Sequence, residues 1–304
     1  MQEQQRLKAK LLHLKEEKDA VILAHNYQPG EVQDVADFVG DSLDLSQTAA
    51  RVNAQTIVFC GVHFMAESAS LLAPEKTEIL PENLAGCPLA NMVTVEQLKE
   101  ARAKYPGVPV VTYINSSAAV KAESDICCTS SNAIAIVNSL EANRVLFVPD
   151  QNLANYVAQH TDKEIIPWQG YCITHHRVTA NDVEEARQNY PGATVMVHPE
   201  CPPEVSATAD KVFSTGGMVR YAAEAAEKLF IVGTEMGLIY RLQKENPHKE
   251  FKLLSPGLIC PNMKYTSLQK VVSSLENMET VITVPEDIRY EAAKSLQLMM
   301  EASA

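Results

Sequence analysis

Short runs of valine, isoleucine and leucine without polar alternation recur along the chain, each followed by a stretch of helix length. Runs such as "AVILAH", "QTIVFCGV", "NRVLFVPD" and "EKLFIVGT" suit strands buried on both faces. Helix-length connections between them predict parallel pairing through right-handed crossovers. Thr94 with Gln97 and Thr266 with Gln269 match the capping-box pattern at two helix starts, and "YPG" at 105–107 and 190–192 supplies two stops.

The same pattern repeats. "TVEQLKEARAKYPG" at 94–107 returns as "TANDVEEARQNYPG" at 179–192, a shift of 85, and "VPVVTYINSS" at 108–117 returns as "ATVMVHPECP" at 193–202. This sets Tyr113 over His198 and Asn115 over Glu200. A third copy at "AVILAHNYQP", 20–29, sets Tyr27 near Tyr113 at a shift of 86. Each copy continues with a helix, a second apolar run, another helix and a third short run ending in proline: "TEILP", "KEIIP" and "KLLSP". Four to six residues beyond that proline stands a cysteine, Cys87, Cys172 or Cys260, at separations of 85 and 88. After Cys260, "TSLQKVVSSLEN" and "METVITVPEDI" restart the pattern. The expected architecture is α/β: three pseudo-threefold-related, three-layer α/β/α domains with short parallel sheets around a central active site. Their expected bounds are 1–106, with an N-terminal helix, 107–191 and 192–277. A C-terminal strand and helix, 278–304, are expected to pack back on the first domain.

Composition narrows the function. With 38 acidic and 26 basic residues the net charge is -12, which argues against nucleic-acid or membrane partners, so an anionic ligand must be held by a few aimed donors. "MQEQQRLKAKLLHLKEEKD" lacks the apolar core of a signal peptide, and no apolar run is long enough to span a bilayer, so the chain reads as cytoplasmic. Seven scattered cysteines with no C-x-x-C exclude a disulfide scaffold, a zinc ribbon and a thioredoxin-like motif, leaving metal binding, catalysis or burial.

Loops at the carboxyl ends of parallel strands hold ligands. Here the loops after the first strands carry His25, Asn26 and Tyr27, then Tyr113, Asn115 and Ser116, then His198 and Glu200. Those after the second strands carry His63, then Asp150 and Asn152, then Thr234 and Glu235. Helices expected to start at "GDSLDLSQ", "CTSSNAIA" and "FSTGGMVR" put Ser42, Ser130 and Thr215 at N-termini suited to phosphate or carboxylate. Three symmetric thiolates can complete a three-cysteine zinc site with water, or hold three corners of a [4Fe-4S] cube and leave its on-axis iron open. Of the other cysteines, Cys60 reads as core, and Cys127, Cys128 and Cys201 have no counterparts across the repeats.

Across essentially the whole chain the motifs "LAHNYQ", "VADFVGDSL", "FCGVHFMAE", "GCPLANM", "CTSSNA", "FVPDQNLA", "WQGYC", "HPEC", "STGGM", "GTEMGL" and "CPNMK" resemble the quinolinate synthase family. The resemblance implies one [4Fe-4S] cluster per chain on Cys87, Cys172 and Cys260. It also implies condensation of iminoaspartate with dihydroxyacetone phosphate to quinolinate, with loss of phosphate and two waters. It further implies an L-aspartate oxidase or dehydrogenase as the source of iminoaspartate. Carried onto matching positions, it makes Glu200 the general base. Tyr27, His25 and His198 become substrate-binding or proton-shuttling groups, Tyr113 and Asn115 neighbours of the open iron, and Ser42, Ser130 and Thr215 anion holders. Some bacterial members carry C-x-x-C-x-x-C at the third ligand, whereas this chain reads "CPNMKYT", so a disulfide switch built on that motif is absent. Two other classes remain at this stage: a cluster-dependent hydro-lyase acting on a small hydroxy acid, and a non-catalytic α/β protein with a three-cysteine zinc.

Overall fold

The computed structural model describes residues 2–303. It contains three four-stranded sheets, every strand pairing in parallel. The first comprises β1 (Ala20–His25), β2 (Phe38–Gly40), β3 (Thr56–Cys60) and β4 (Thr77–Ile79), in the order β2-β1-β3-β4. The second comprises β5 (Val110–Tyr113), β6 (Ile126–Cys128), β7 (Arg144–Val148) and β8 (Glu164–Pro167), in the order β6-β5-β7-β8. The third comprises β9 (Thr194–Val197), β10 (Lys211–Val212), β11 (Leu229–Gly233) and β12 (Glu250–Leu253), in the order β10-β9-β11-β12. Helices flank each sheet, so the chain is three α/β/α units of one topology.

The alternation of side chains along each strand decides how the units join. In β1, Ile22 and Ala24 face an outer layer with Leu11 and Leu14 of helix Gln2–Glu17 and with Leu268, Val271 and Leu275 of helix Leu268–Asn277. Val21 and Leu23 face the other way, into a cluster that also takes Val111 and Phe147 of the second sheet and Met196 and Phe230 of the third. The three inner faces therefore form one continuous core. Cys60 packs in the outer layer of the first unit, as expected of a core residue.

The edge strands β2, β6 and β10 and the short helices before them were not expected from the sequence. Two or three residues are too few for a periodic signal. Side chains nevertheless mark them. Asp37, Asp125 and Asp210 each accept the backbone N–H of a residue 15 positions earlier in the first strand: Ile22, Val110 and Val195, at 2.8, 2.7 and 2.8 Å. Each also pairs with a base, Lys15, Arg102 or Arg187. Pairs this exposed add little stability, so their value is in setting register.

A second recurrent device stands before the last strand of each sheet. Lys76, Lys163 and Lys249 send their ammonium groups to the terminal carbonyls of helices Ser42–Arg51, Ala133–Ser139 and Thr215–Glu224. Each supplies the positive charge that the carboxyl end of a helix favours.

These anchors also correct the alignment of the repeats. Three residues beyond Ile22, Val110 and Val195 stand His25, Tyr113 and His198, so these are equivalent, and Tyr27 lies over Asn115 and Glu200 rather than near Tyr113. The expected cap at Thr266 moves one residue: Ser267 accepts from Lys270 N, and the Thr266 hydroxyl is buried without a partner. Among the described residues after 277 no regular strand forms. Met278 and Thr280 are left-handed, and the segment makes a single antiparallel bridge, Ile79 with Val281. Helix Glu286–Glu301 then packs against helix Ala118–Ala122 and β6 of the second unit and helix His63–Leu72 of the first.

Candidate active site

The carboxyl ends of the three sheets open on one shared cavity. The twelve residues given a ligand, catalytic or binding role line it: His25, Tyr27, Ser42, Cys87, Tyr113, Asn115, Ser130, Cys172, His198, Glu200, Thr215 and Cys260. Of the other loop residues named from the sequence, Glu235 lines it too, whereas Asn26, His63, Ser116, Asp150, Asn152 and Thr234 do not. Each unit contributes.

One part of the wall is built where helices begin. Ser42 and Thr215 are first residues of their helices, behind the capping residues Asp41 and Ser214. Ser130 does not open a helix: the Asn132 side chain takes the Thr129 N–H at 2.6 Å and delays the start to Ala133. Ser131 ties the three units together, with its hydroxyl 2.8 Å from both Asp41 Oδ2 and Ser214 Oγ. Ser42 and Thr215 thus stand at helix N-termini, a setting suited to anionic oxygens, and the Ser130 hydroxyl joins them in the cavity wall.

A chain of buried polar groups runs along another part. Tyr27 Oη lies 2.6 Å from Thr234 Oγ1, which lies 2.8 Å from His175 Nε2, and His175 Nδ1 lies 2.9 Å from Glu200 Oε2. His198 Nδ1 is 3.3 Å from the same oxygen and its ring stacks on His175 with centroids 4.7 Å apart. Gly237 makes room for this arrangement, since a Cβ there would stand 2.6 Å from the Tyr27 carbonyl oxygen. No repeat or strand-end pattern in the sequence points to His175. Its signal was its place three residues after Cys172.

Electrostatics set the protonation of these groups. Burial alone raises the Glu200 carboxyl, but His175 and then His198 overturn that and hold it below the ordinary carboxylate range. Its other oxygen, Oε1, is buried without a hydrogen-bond partner, as is Asn115 Oδ1. Both residues face the cavity. Unsatisfied buried oxygens in a native site call for a ligand. Burial pushes the phenols of Tyr27 and Tyr113 well above their usual range, so both keep their protons.

Burial also holds His25 down to about 4, against an opposing pull from Asp41. The folded imidazole therefore stays neutral where the unfolded one, at about 6.5, takes a proton. Stability contributed by neutral His25 is present above pH 6.5 and is lost as the pH falls toward 4, by on the order of 3 kcal/mol. Denaturant unfolding at pH 7.5, 5.5 and 4.5 should show a flatter acid limb for His25→Gln than for the wild type.

The three thiols complete the wall. None is in a disulfide, and each is partly buried. Each cysteine precedes a turn whose backbone N–H groups act on its sulfur: Ala90 and Leu89 for Cys87, His175 for Cys172, and Met263 and Asn262 for Cys260. These donors favour the thiolate, whereas burial raises all three thiols, Cys87 to about 12. Such groups ionise when a cation is there to compensate. Three soft sulfurs on one cavity, one from each unit, thus fit an iron-sulfur cluster or a zinc ion. Cys60, Cys127, Cys128 and Cys201 do not line it; Cys127 contacts Ser295 Oγ and Cys201 the Gly233 carbonyl. A mixed set, Cys172, His175 and Glu200, has ligand atoms within 4.8 Å of one another. His175 Nδ1 stands at hydrogen-bond distance from both partners, 3.2 Å from the sulfur and 2.9 Å from the carboxylate, which accounts for their proximity.

Comparison with known sequences agrees with this geometry. The profile of the family described as quinolinate synthetase A protein matches residues 9–301. The chain is 56% identical over 294 residues to quinolinate synthase of Dehalococcoides mccartyi strain 195, covering 97% of each chain. It is 54% identical over 297 residues to that of Geotalea uraniireducens, covering 98% of each. It is 53% identical over 291 residues to quinolinate synthase 1 of Methanosarcina acetivorans, covering 96% of each.

Proposed function

Because the chain belongs to the quinolinate synthetase A family, we propose that it is a quinolinate synthase of NAD biosynthesis. In this reading it condenses iminoaspartate with dihydroxyacetone phosphate, releasing phosphate and two waters. One observation carries the reading. Three unpaired cysteines, one from each repeat, share a cavity with a carboxylate whose free oxygen has no protein partner.

Cys87, Cys172 and Cys260 would hold a [4Fe-4S] cluster. When bound, it supplies Lewis acidity at the one iron without a protein ligand, for loss of a substrate hydroxyl as water. The remaining chemistry belongs to the chain's own groups. Ser42, Ser130 and Thr215 hold phosphate or carboxylate oxygens, with Asn26 Nδ2 steadying Thr215 Oγ1 at 3.0 Å. Asn115 turns its free carbonyl oxygen toward substrate N–H or O–H groups.

Glu200 Oε1 takes the proton that carbon–carbon bond formation requires. Tyr27, whose phenol keeps its proton, is placed to donate one to a leaving oxygen. Thr234 and His175 join Tyr27 to Glu200 through contacts of 2.6–2.9 Å and fix the positions of both groups. His198 and neutral His25 line the same space and polarise carbonyl oxygens.

Among the described residues no helix is long and apolar enough to cross a membrane. The protein in this reading works in the cytoplasm with small-molecule substrates, fed by an L-aspartate oxidase or dehydrogenase.

The test is anaerobic incubation with dihydroxyacetone phosphate and iminoaspartate generated in place. The expected result is one phosphate released per quinolinate formed. Dehydration of a small hydroxy acid with no need for phosphate would instead assign a hydro-lyase. Colourless protein with about one zinc, prepared without exposure to air, would assign a tetrahedral metal site.

A further inference from the structure

Each cysteine loop is tied to the loop after the second strand of its own sheet by one backbone hydrogen bond, in the same place three times. His63 N donates to Ala85 O at 2.8 Å, Gln151 N to Gly170 O at 2.8 Å, and Met236 N to Leu258 O at 2.9 Å. In every case the acceptor stands two residues before the cysteine, and the residue just before the donor is Val62, Asp150 or Glu235.

In two units that residue is a buried carboxylate that adds a second tie, to the cysteine itself. Asp150 Oδ2 accepts the Cys172 N–H at 3.0 Å while Oδ1 accepts Leu153 N at 2.8 Å. Glu235 Oε1 accepts the Cys260 N–H at 3.3 Å while Oε2 accepts Gly237 N at 2.7 Å, and Lys264 pairs with it at 2.9 Å. Both residues are fully buried. One side chain thus joins a cysteine to the start of the next helix. In the first unit the Val62 side chain has no atom that accepts a hydrogen bond, and among the described residues the Cys87 N–H has no partner.

The first loop differs in a second respect. All three cysteines line the central cavity, and Cys87 also lines a neighbouring hollow. That space is rimmed by His63, Asn83 and Asn91, all exposed. Beside Cys87, a Cβ added to Gly86 would meet nothing within 4 Å, and the Gly86 carbonyl is held by Asn262 Nδ2 of the third unit's loop at 2.7 Å, a side-chain tie in place of a buried carboxylate on the cysteine itself. Cys87 is therefore the thiol with fewer ties and a second approach from near the surface.

We propose that Asp150 and Glu235 are positioning residues for Cys172 and Cys260, and that Cys87 is the ligand that opens first when iron enters or leaves the site. This rests on the three-thiolate reading given above. Groups that hold metal ligands in place commonly change metal affinity 10–100-fold when removed.

The test transplants the first unit's residue into the second. Asp150→Val should raise the rate at which a chelator bleaches the anaerobic holoprotein by about 10-fold, with Asp150→Asn, which keeps one acceptor oxygen, falling between. Val62→Asn, which adds an acceptor beside Cys87, should slow bleaching. Brief alkylation of the full-length chain after iron removal, read peptide by peptide, should label Cys87 first in the wild type. In Asp150→Val it should bring Cys172, but not Cys260, up to the Cys87 rate. A general loosening of the fold would instead raise all three together and overturn the proposal. Equal labelling of the three thiols in the wild type would also overturn it. Protein that never takes up iron would refute the cluster reading, while the labelling order still decides whether the Cys87 loop is the mobile one.

Discussion

Replacing Glu200 by glutamine is expected to lower turnover by about 10²–10⁴-fold, the usual contribution of a positioned general base, without disturbing the cysteine loops. Glutamine matches glutamate in size. Its carbonyl oxygen can still accept from His175, so the stacked His175–His198 pair and the chain of contacts to Tyr27 keep their geometry. What is lost is the basic lone pair on Oε1, the buried oxygen with no protein partner. The loss should fall on kcat more than on KM, because the affected step is proton removal and not anion binding. Iron content should equal that of the wild type. Unchanged turnover with intact iron would remove Glu200 from the mechanism and leave His198, at 3.3 Å from its carboxylate, as the remaining base.

Cys172→Ala is the second large effect. Anaerobically purified wild type should carry about four irons and four sulfides per chain, with a broad absorption near 400 nm. The variant should lose the iron, the band and the activity together, because two thiolates on a site built for three leave a cluster corner to solvent. The fold should persist, since Cys172 is only partly buried and the neighbouring ties at Gly170 and Asp150 run through backbone groups that alanine keeps. The His175 imidazole also loses its sulfur contact at 3.2 Å, so a modest change in that chain of contacts accompanies the loss. Retention of iron by Cys172→Ala would mean that the three cysteines are not one ligand set.

Spacing marks the three cysteines, whereas the role of Glu200 follows from the family resemblance. The recurrence of Cys87, Cys172 and Cys260 after three proline-ended apolar runs was visible because a repeated unit keeps its ligand at a repeated place. The loops with His25, Tyr113 and His198 were visible because a parallel strand ends in one direction only, so chemistry gathers at its carboxyl end. Other features were out of reach. The edge strands of two or three residues carry no period, and the two-residue slip at Tyr27 arose because the alignment had no anchor between β1 and β3. Asp37, Asp125 and Asp210 supply that anchor, but an aspartate 15 residues after a strand residue gains meaning only once the edge strand pairs.

The sequence by itself determined the class of fold, the number of units, the three thiols and the strand-end loops that gather His, Tyr, Asn and Glu side chains. These follow from local period and from repetition, which the chain records in order. The tertiary structure decided how those groups are used. It brought His175, Thr234 and Tyr27 from three different units into one chain of contacts to Glu200, left one Glu200 oxygen free, and gave two of the three cysteines a buried carboxylate that the first lacks. These contacts join residues up to 207 positions apart. Their strength depends on burial and on distances of about 3 Å, which no local pattern in the chain encodes.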